Sequence, residues 1–206
     1  MNDARKLRMT VEHAEAIGKK PDVMEGYLKY CIIISVDPQR MYDREPDFIR
    51  DYGPLAEAFM EPVKTWLDKG IRVVGQKANP NVGFSMTILI NRKNRDGKVV
   101  LPEEALDRVT VLKMYTRWGA DYVMKEKDLG SLEVGKFADF VVLDKDYLTI
   151  PIEEIVNIRP LMTVVGGQIG HLEADYARKL GMQPVAYQFA PGYKPWDRPR
   201  SAGEGM

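Results

Sequence analysis

Two histidines, one cysteine and a run of carboxylates are the side chains of this 206-residue chain best suited to chemistry. His13 stands in Val11-Glu12-His13-Ala14, at the end of a stretch, Leu7 to His13, with the alternation of a strand. A neutral imidazole there is a good ligand for a divalent metal. Barrel enzymes place working residues at the C-terminal ends of strands. The plainer reading is a half-buried histidine bonded to a backbone group. His171 follows Gly166-Gly167-Gln168-Ile169-Gly170 and reads as structural or exposed. Cys31 precedes Ile32-Ile33-Ile34 and has no adjacent basic residue to lower its pKa, so it reads as a small core residue rather than a nucleophile. Asp37, Asp43, Glu45, Asp47 and Asp51 form an acidic cluster that could border a substrate pocket; a solvated loop is the favoured reading. Arg92-Lys93-Asn94-Arg95, with Asp96 behind it, reads as a solvated turn.

Composition excludes several classes. Hydrophobic residues make up 45% and charged residues 29%, as in a folded globular chain and not a disordered one. Formal net charge is zero, so no strong field draws nucleic acid or an anionic membrane. No apolar run approaches a membrane span, and Met1 to Lys6 lacks the apolar core of a signal peptide. A single cysteine excludes an internal disulfide and a cysteine-based zinc motif, and a reducing cytoplasmic location is expected.

The elements that must position these residues follow from pattern. Asp22 to Tyr30 reads as a helix, and Cys31 to Val36 as a strand apolar on both faces, as in a parallel sheet covered by helices. Tyr42 to Gly53 shows no clear period. Helical spacing starts at Pro54, with Pro62 expected to kink it and Gly70 to stop it. Ile71 to Gly75 is a strand, Phe84 to Arg92 a helix, and Pro102 opens what reads as the best helix, with Glu103 and Glu104 in its first turn. The alternation predicts βαβ units, with Cys31–Val36 parallel to Ile71–Val74. Phe140 to Leu143 and Met162 to Val165 read as strands of a separate antiparallel unit, with Gly166-Gly167 as the turn that follows. From Ala174 a short amphipathic helix leads to an extended tail bearing Pro191, Pro195 and Pro199.

The segment Gly130-Ser131-Leu132-Glu133-Val134-Gly135-Lys136-Phe137-Ala138-Asp139-Phe140-Val141-Val142-Leu143-Asp144 resembles the C-terminal signature of the amidohydrolase superfamily, most closely amidohydrolase family 3. Asp144-Lys145-Asp146-Tyr147-Leu148-Thr149-Ile150-Pro151 and the run through Val164-Val165-Gly166-Gly167 extend the likeness. The resemblance implies an α/β fold: the C-terminal part of a (β/α)8 metal-dependent hydrolase barrel plus a small β-sandwich-type segment. It divides the chain into a partial barrel over 1–128, sandwich strands over 129–173, and a helix with a proline-rich tail over 174–206. It covers nearly all of this chain but roughly the last third of a whole family member.

The same resemblance implies a hydrolase of non-peptide carbon–nitrogen bonds, a small-molecule amide-type substrate, and a divalent metal, zinc above all. The family's V-E-H-A at its sixth barrel strand makes His13 the metal ligand. Two departures stand against that chemistry. Lys77, in Gly75-Gln76-Lys77-Ala78, replaces the family's aspartate ligand and proton carrier, and a protonated ammonium repels a divalent ion. The family's H-x-H pair has no counterpart in the chain. The expectation is an amidohydrolase-like chain that is incomplete or inactive alone. The alternative is a non-catalytic homologue acting as a homo-oligomer or beside a complementary chain that supplies the missing strands.

Overall fold

In the computed structural model the described residues are 8–14, 18–53, 55–56, 60–76, 81–186 and 188. The first half is a three-stranded parallel sheet wrapped by helices, with strands in the order β1 (Thr10–Val11), β2 (Ile33–Val36), β3 (Arg72–Gly75). In register, Ile33 faces Arg72 and Val36 faces Gly75. All four residues of β2 are buried, which explains its unbroken apolar run. The expected parallel pairing is therefore present, although the alternation from Leu7 yields only a two-residue β1, and Leu7 lies outside the described residues.

Helix α1 (Pro21–Tyr30) precedes β2 and ends at Cys31, which takes the left-handed conformation of a helix C-cap (φ 54°). Cys31 is exposed, so its reading as a core residue is corrected: the strand starts two residues later, and the thiol sits on the turn before it.

The acidic stretch is not a loop. It forms α2 (Pro38–Tyr52), capped by the Asp37 side chain, which accepts from the N–H of Gln39 at 3.2 Å. Pro46 lies inside this helix, and its polar outer face hid the period. Two of the five carboxylates, Asp37 and Glu45, are buried rather than solvated.

Helix α3 (Val63–Asp68) begins after Pro62, and Gly70 ends the turn behind it with φ 87°. Trp66 is fully buried in α3, and its indole N–H donates to the Gly18 carbonyl at 2.8 Å. Helix α4 (Val82–Asn91) is capped by Asn81. The helix expected from Pro102 is broken. A 3-10 turn covers Pro102–Glu104, the chain extends at Ala105, and two short helices follow, α5 (Arg108–Tyr115) and α6 (Arg117–Tyr122). Asp107 caps α5 through the Thr110 N–H at 2.9 Å and so starts a new helix instead of continuing the old one.

The main core lies between the sheet and its helices. Ile34, Val36 and Val73 meet Met24, Val63, Trp66, Leu89, Val111 and Met114, and Tyr147 and Ile155 close it from the C-terminal part. The turn expected over Arg92–Arg95 also contributes to the interior: Arg92 and Asn94 are buried.

The second sheet is antiparallel, in the order β4 (Phe140–Leu143), β5 (Pro160–Val165), β6 (Gln168–Leu172). Gly166 and Gly167 form its β5–β6 turn with φ 57° and 77°, a pair of angles that favours glycine at both positions. Helix α7 (Ala174–Leu180) follows, and the proline-rich tail lies outside the described residues.

Candidate functional site

The parallel sheet brings His13, Ser35, Asp37 and Gln76 to one end, because each lies at or just beyond the C-terminal end of β1, β2 or β3. This is where a sheet of this type carries its working groups. His13 is exposed and holds a positive φ of 55°, which turns the chain sharply after β1.

One partner of His13 is an amide. Nε2 of Gln76 lies 3.3 Å from Nε2 of His13. Gln76 is fixed at three other points. Its N–H donates to the Val36 carbonyl at 2.7 Å, its Oε1 accepts from Ser35 Oγ at 3.3 Å, and its carbonyl accepts from the Tyr115 hydroxyl at 3.1 Å. The Tyr115 ring fits because residue 75 is glycine: a Cβ there would lie 2.3 Å from Tyr115 Cζ.

Beneath this layer lies a buried charged group. The Asp37 N–H donates to Glu61 Oε1 at 3.0 Å. Arg92 donates through Nη1 to the Glu61 carbonyl at 3.3 Å and through Nε to the Val100 carbonyl at 3.2 Å. Burial pushes the Arg92 guanidinium below its ordinary range, while the charge of Glu61 pulls it back. Burial also pushes the Tyr115 hydroxyl far up, and the charges of Glu61 and Asp37 add to it. Tyr115 is thus a neutral donor at all working pH.

Several sequence expectations meet the structure here. His13 is at the strand end, as expected. Lys77 lies outside the described residues. Asp37 reaches the same end, but its Oδ1 caps α2. Asp43 and Asp47 face basic partners: Arg95 bonds the Asp43 carbonyl at 2.6 Å and the Asp47 carboxylate at 3.0 Å. His171 lies in β6, opposite Thr163, remote from the site in sequence and in sheet. Sequence reading missed Glu61, Ser35 and Tyr115. Glu61 fell between the apolar positions of the helical spacing read from Pro54, and Tyr115 fell in the helix read from Pro102; pairing across the fold is what gives each its role.

A metal does not fit what is described. Among the described residues no group of three or more His, Cys, Asp or Glu side chains is placed to hold an ion. A catalytic zinc takes about three protein ligands and leaves one position open. Here the imidazole meets a carboxamide, and the sequence from Lys69 to Arg95 contains no carboxylate to take the place of that amide.

The chain belongs to the Amidohydrolase family, whose model matches residues 1–171. It is 32% identical over 110 residues to the N-substituted formamide deformylase of Arthrobacter pascens, a match covering 52% of this chain and 20% of that enzyme. A metal-dependent hydrolase from Pyrococcus furiosus superposes with a TM-score of 0.55 at 25% identity, covering 68% of this chain and 29% of the other. Atrazine chlorohydrolase from Arthrobacter aurescens, solved with zinc, shares the fold over 87% of this chain and 38% of its own, with a TM-score of 0.55 at 21% identity. The match to the curated relative thus spans about a fifth of that enzyme's length. Among the described residues no helix is long and apolar enough to cross a membrane.

Proposed function

We propose that this chain is the C-terminal part of an amidohydrolase-type protein, related to enzymes that hydrolyse carbon–nitrogen bonds of small amides, and that alone it has little or no hydrolase activity. Residues 1–128 form the last strands of a (β/α)8 barrel, 129–173 its sandwich-type segment, and 174–206 a terminal helix and tail. The observation that carries this reading is the contact of His13 with Gln76 at the end of a parallel sheet. The place is that of a family metal ligand, and the neighbour is an amide. In a complete family site a metal activates water and polarises the carbonyl. This chain offers His13 to such a site. Ser35 and Tyr115 hold Gln76 in place, and Asp37 is occupied as a helix cap.

The test is turnover of N-formyl and N-acyl amides by the purified chain, with and without added zinc. The expected result is no hydrolysis above a buffer control. Chelator-sensitive hydrolysis that disappears in His13→Ala would overturn the reading.

A second reading is favoured by the sheet edges. Among the described residues β1 and β3 each pair on one side only. Unpaired edges invite further strands. On this reading the chain is a non-catalytic subunit, paired with its own copy or with a chain bearing complementary strands. Light scattering of the purified protein distinguishes a monomer from such an assembly.

A further inference from the structure

We infer that Gln76 is a positioning residue that holds His13 through its Nε2, and that the strand-end site of this chain therefore takes no divalent metal. The inference deepens the functional reading above, since it concerns why the site is silent rather than whether hydrolysis occurs.

The argument begins with the direction of the amide. Ser35 Oγ donates to Gln76 Oε1 at 3.3 Å, which leaves the amide NH2 turned toward His13 Nε2, also at 3.3 Å. An amide nitrogen has protons and no lone pair to offer. It can only donate, so Nε2 of His13 accepts, and the imidazole proton resides on Nδ1. The Nε2 lone pair is thereby engaged and not open to a metal at that nitrogen.

The holder is itself held. The backbone of Gln76 is fixed on both sides, by its N–H to Val36 and by its carbonyl to Tyr115. The Tyr115 ring in turn occupies the space that any side chain at position 75 would need. Rotating the amide to offer Oε1 to a metal would turn its NH2 toward Ser35 and break the present Ser35–Gln76–His13 chain. It would also supply only a neutral oxygen beside a single imidazole. A carboxylate could not replicate this chain, because it has no proton to give to Nε2.

The experiment is nitrogen-15 NMR of the histidine side chains in the full chain, with His13 assigned by comparison with His13→Ala. The wild type should show Nδ1 protonated and Nε2 as a bonded acceptor. One equivalent of zinc chloride should leave both signals in place. In Gln76→Ala the Nε2 signal should lose its bonded-acceptor shift, while the circular dichroism spectrum stays unchanged. Gln76→Asn serves as the second variant: it folds with the same polarity but a shorter reach, and should show the same loss as Gln76→Ala. The inference is overturned if wild-type His13 carries its proton on Nε2, or if zinc displaces its signals. Zinc binding at His13 without hydrolysis would remove this inference and leave the functional reading standing. Hydrolysis would remove the functional reading.

Discussion

The side-chain amide of Gln76 reaches Nε2 of His13 at 3.3 Å, joining the ends of β3 and β1 across the intervening β2. Ser35 of β2 supplies the middle of that bridge. The link uses groups from all three strands, so changes in any of them, or in the helices beneath, should report on the site.

The first prediction concerns Gly75. The Tyr115 ring leaves no room for a Cβ there, and Tyr115 is packed on the main core. Gly75→Ala should cost about 1–3 kcal/mol, as overpacking does. Urea denaturation measures this. In a Tyr115→Leu background the same change should cost clearly less, because the obstacle is removed; equal costs in both backgrounds would contradict the assignment.

A second prediction concerns the buried cation. Arg92 has no exposed surface and ties two carbonyls, those of Glu61 and Val100, while offsetting the Glu61 charge. Arg92→Met should destabilise by about 3 kcal/mol, since it strands both carbonyls and removes the charge that offsets Glu61. Arg92→Lys should recover little, because an ammonium cannot reproduce the two-point contact. A midpoint shift near zero for either variant would count against this account.

The third prediction is a pH dependence. Burial pushes Glu104 up, but hydrogen bonds from the Thr65 hydroxyl and N–H, and the charge of Lys19, bring it below its ordinary range overall. A carboxyl depressed in the folded state adds stability that is fully present above its unfolded pKa and lost as pH falls through the folded value. Glu104→Gln should therefore lower stability by about 1–2 kcal/mol at neutral pH. The gap between wild type and variant should hold down to about pH 5 and close below the ordinary glutamate range of about 4.3. A gap that widens on acidification would show the opposite sign.

Cys31 gives a fourth test. The residue is exposed and left-handed at the end of α1. Native protein should react with a thiol reagent without denaturant. Cys31→Gly should stabilise by about 1 kcal/mol, because glycine carries no penalty in that conformation. Protection of the thiol in the folded state would restore the core reading that the sequence suggested.

Much of the frame was legible because period and punctuation agree locally. The buried run at Ile33–Val36, the stop at Gly70 and the turn at Gly166-Gly167 each carry their own signal. The α2 helix was not legible, since Pro46 sits inside it and charges cover most of its length. The break after Glu104 was equally hidden: Asp107 looks like another acidic helix residue until it is seen capping Thr110. Within the site, His13 could be read from its neighbours, but Ser35, Gln76 and Tyr115 could not. Their roles depend on contacts between residues 39 to 63 positions apart. Similarly, Glu45 reads as a surface acid until Asn94 is found bonded to it at 2.5 Å in the interior.

The central claim is that the end of this sheet holds a hydrogen-bonded imidazole in place of a metal centre. Elemental analysis of the purified chain, dialysed against zinc and then against metal-free buffer, tests it most directly. The account predicts zinc far below one ion per chain, unchanged in His13→Ala. One zinc per chain, lost in His13→Ala, would contradict it.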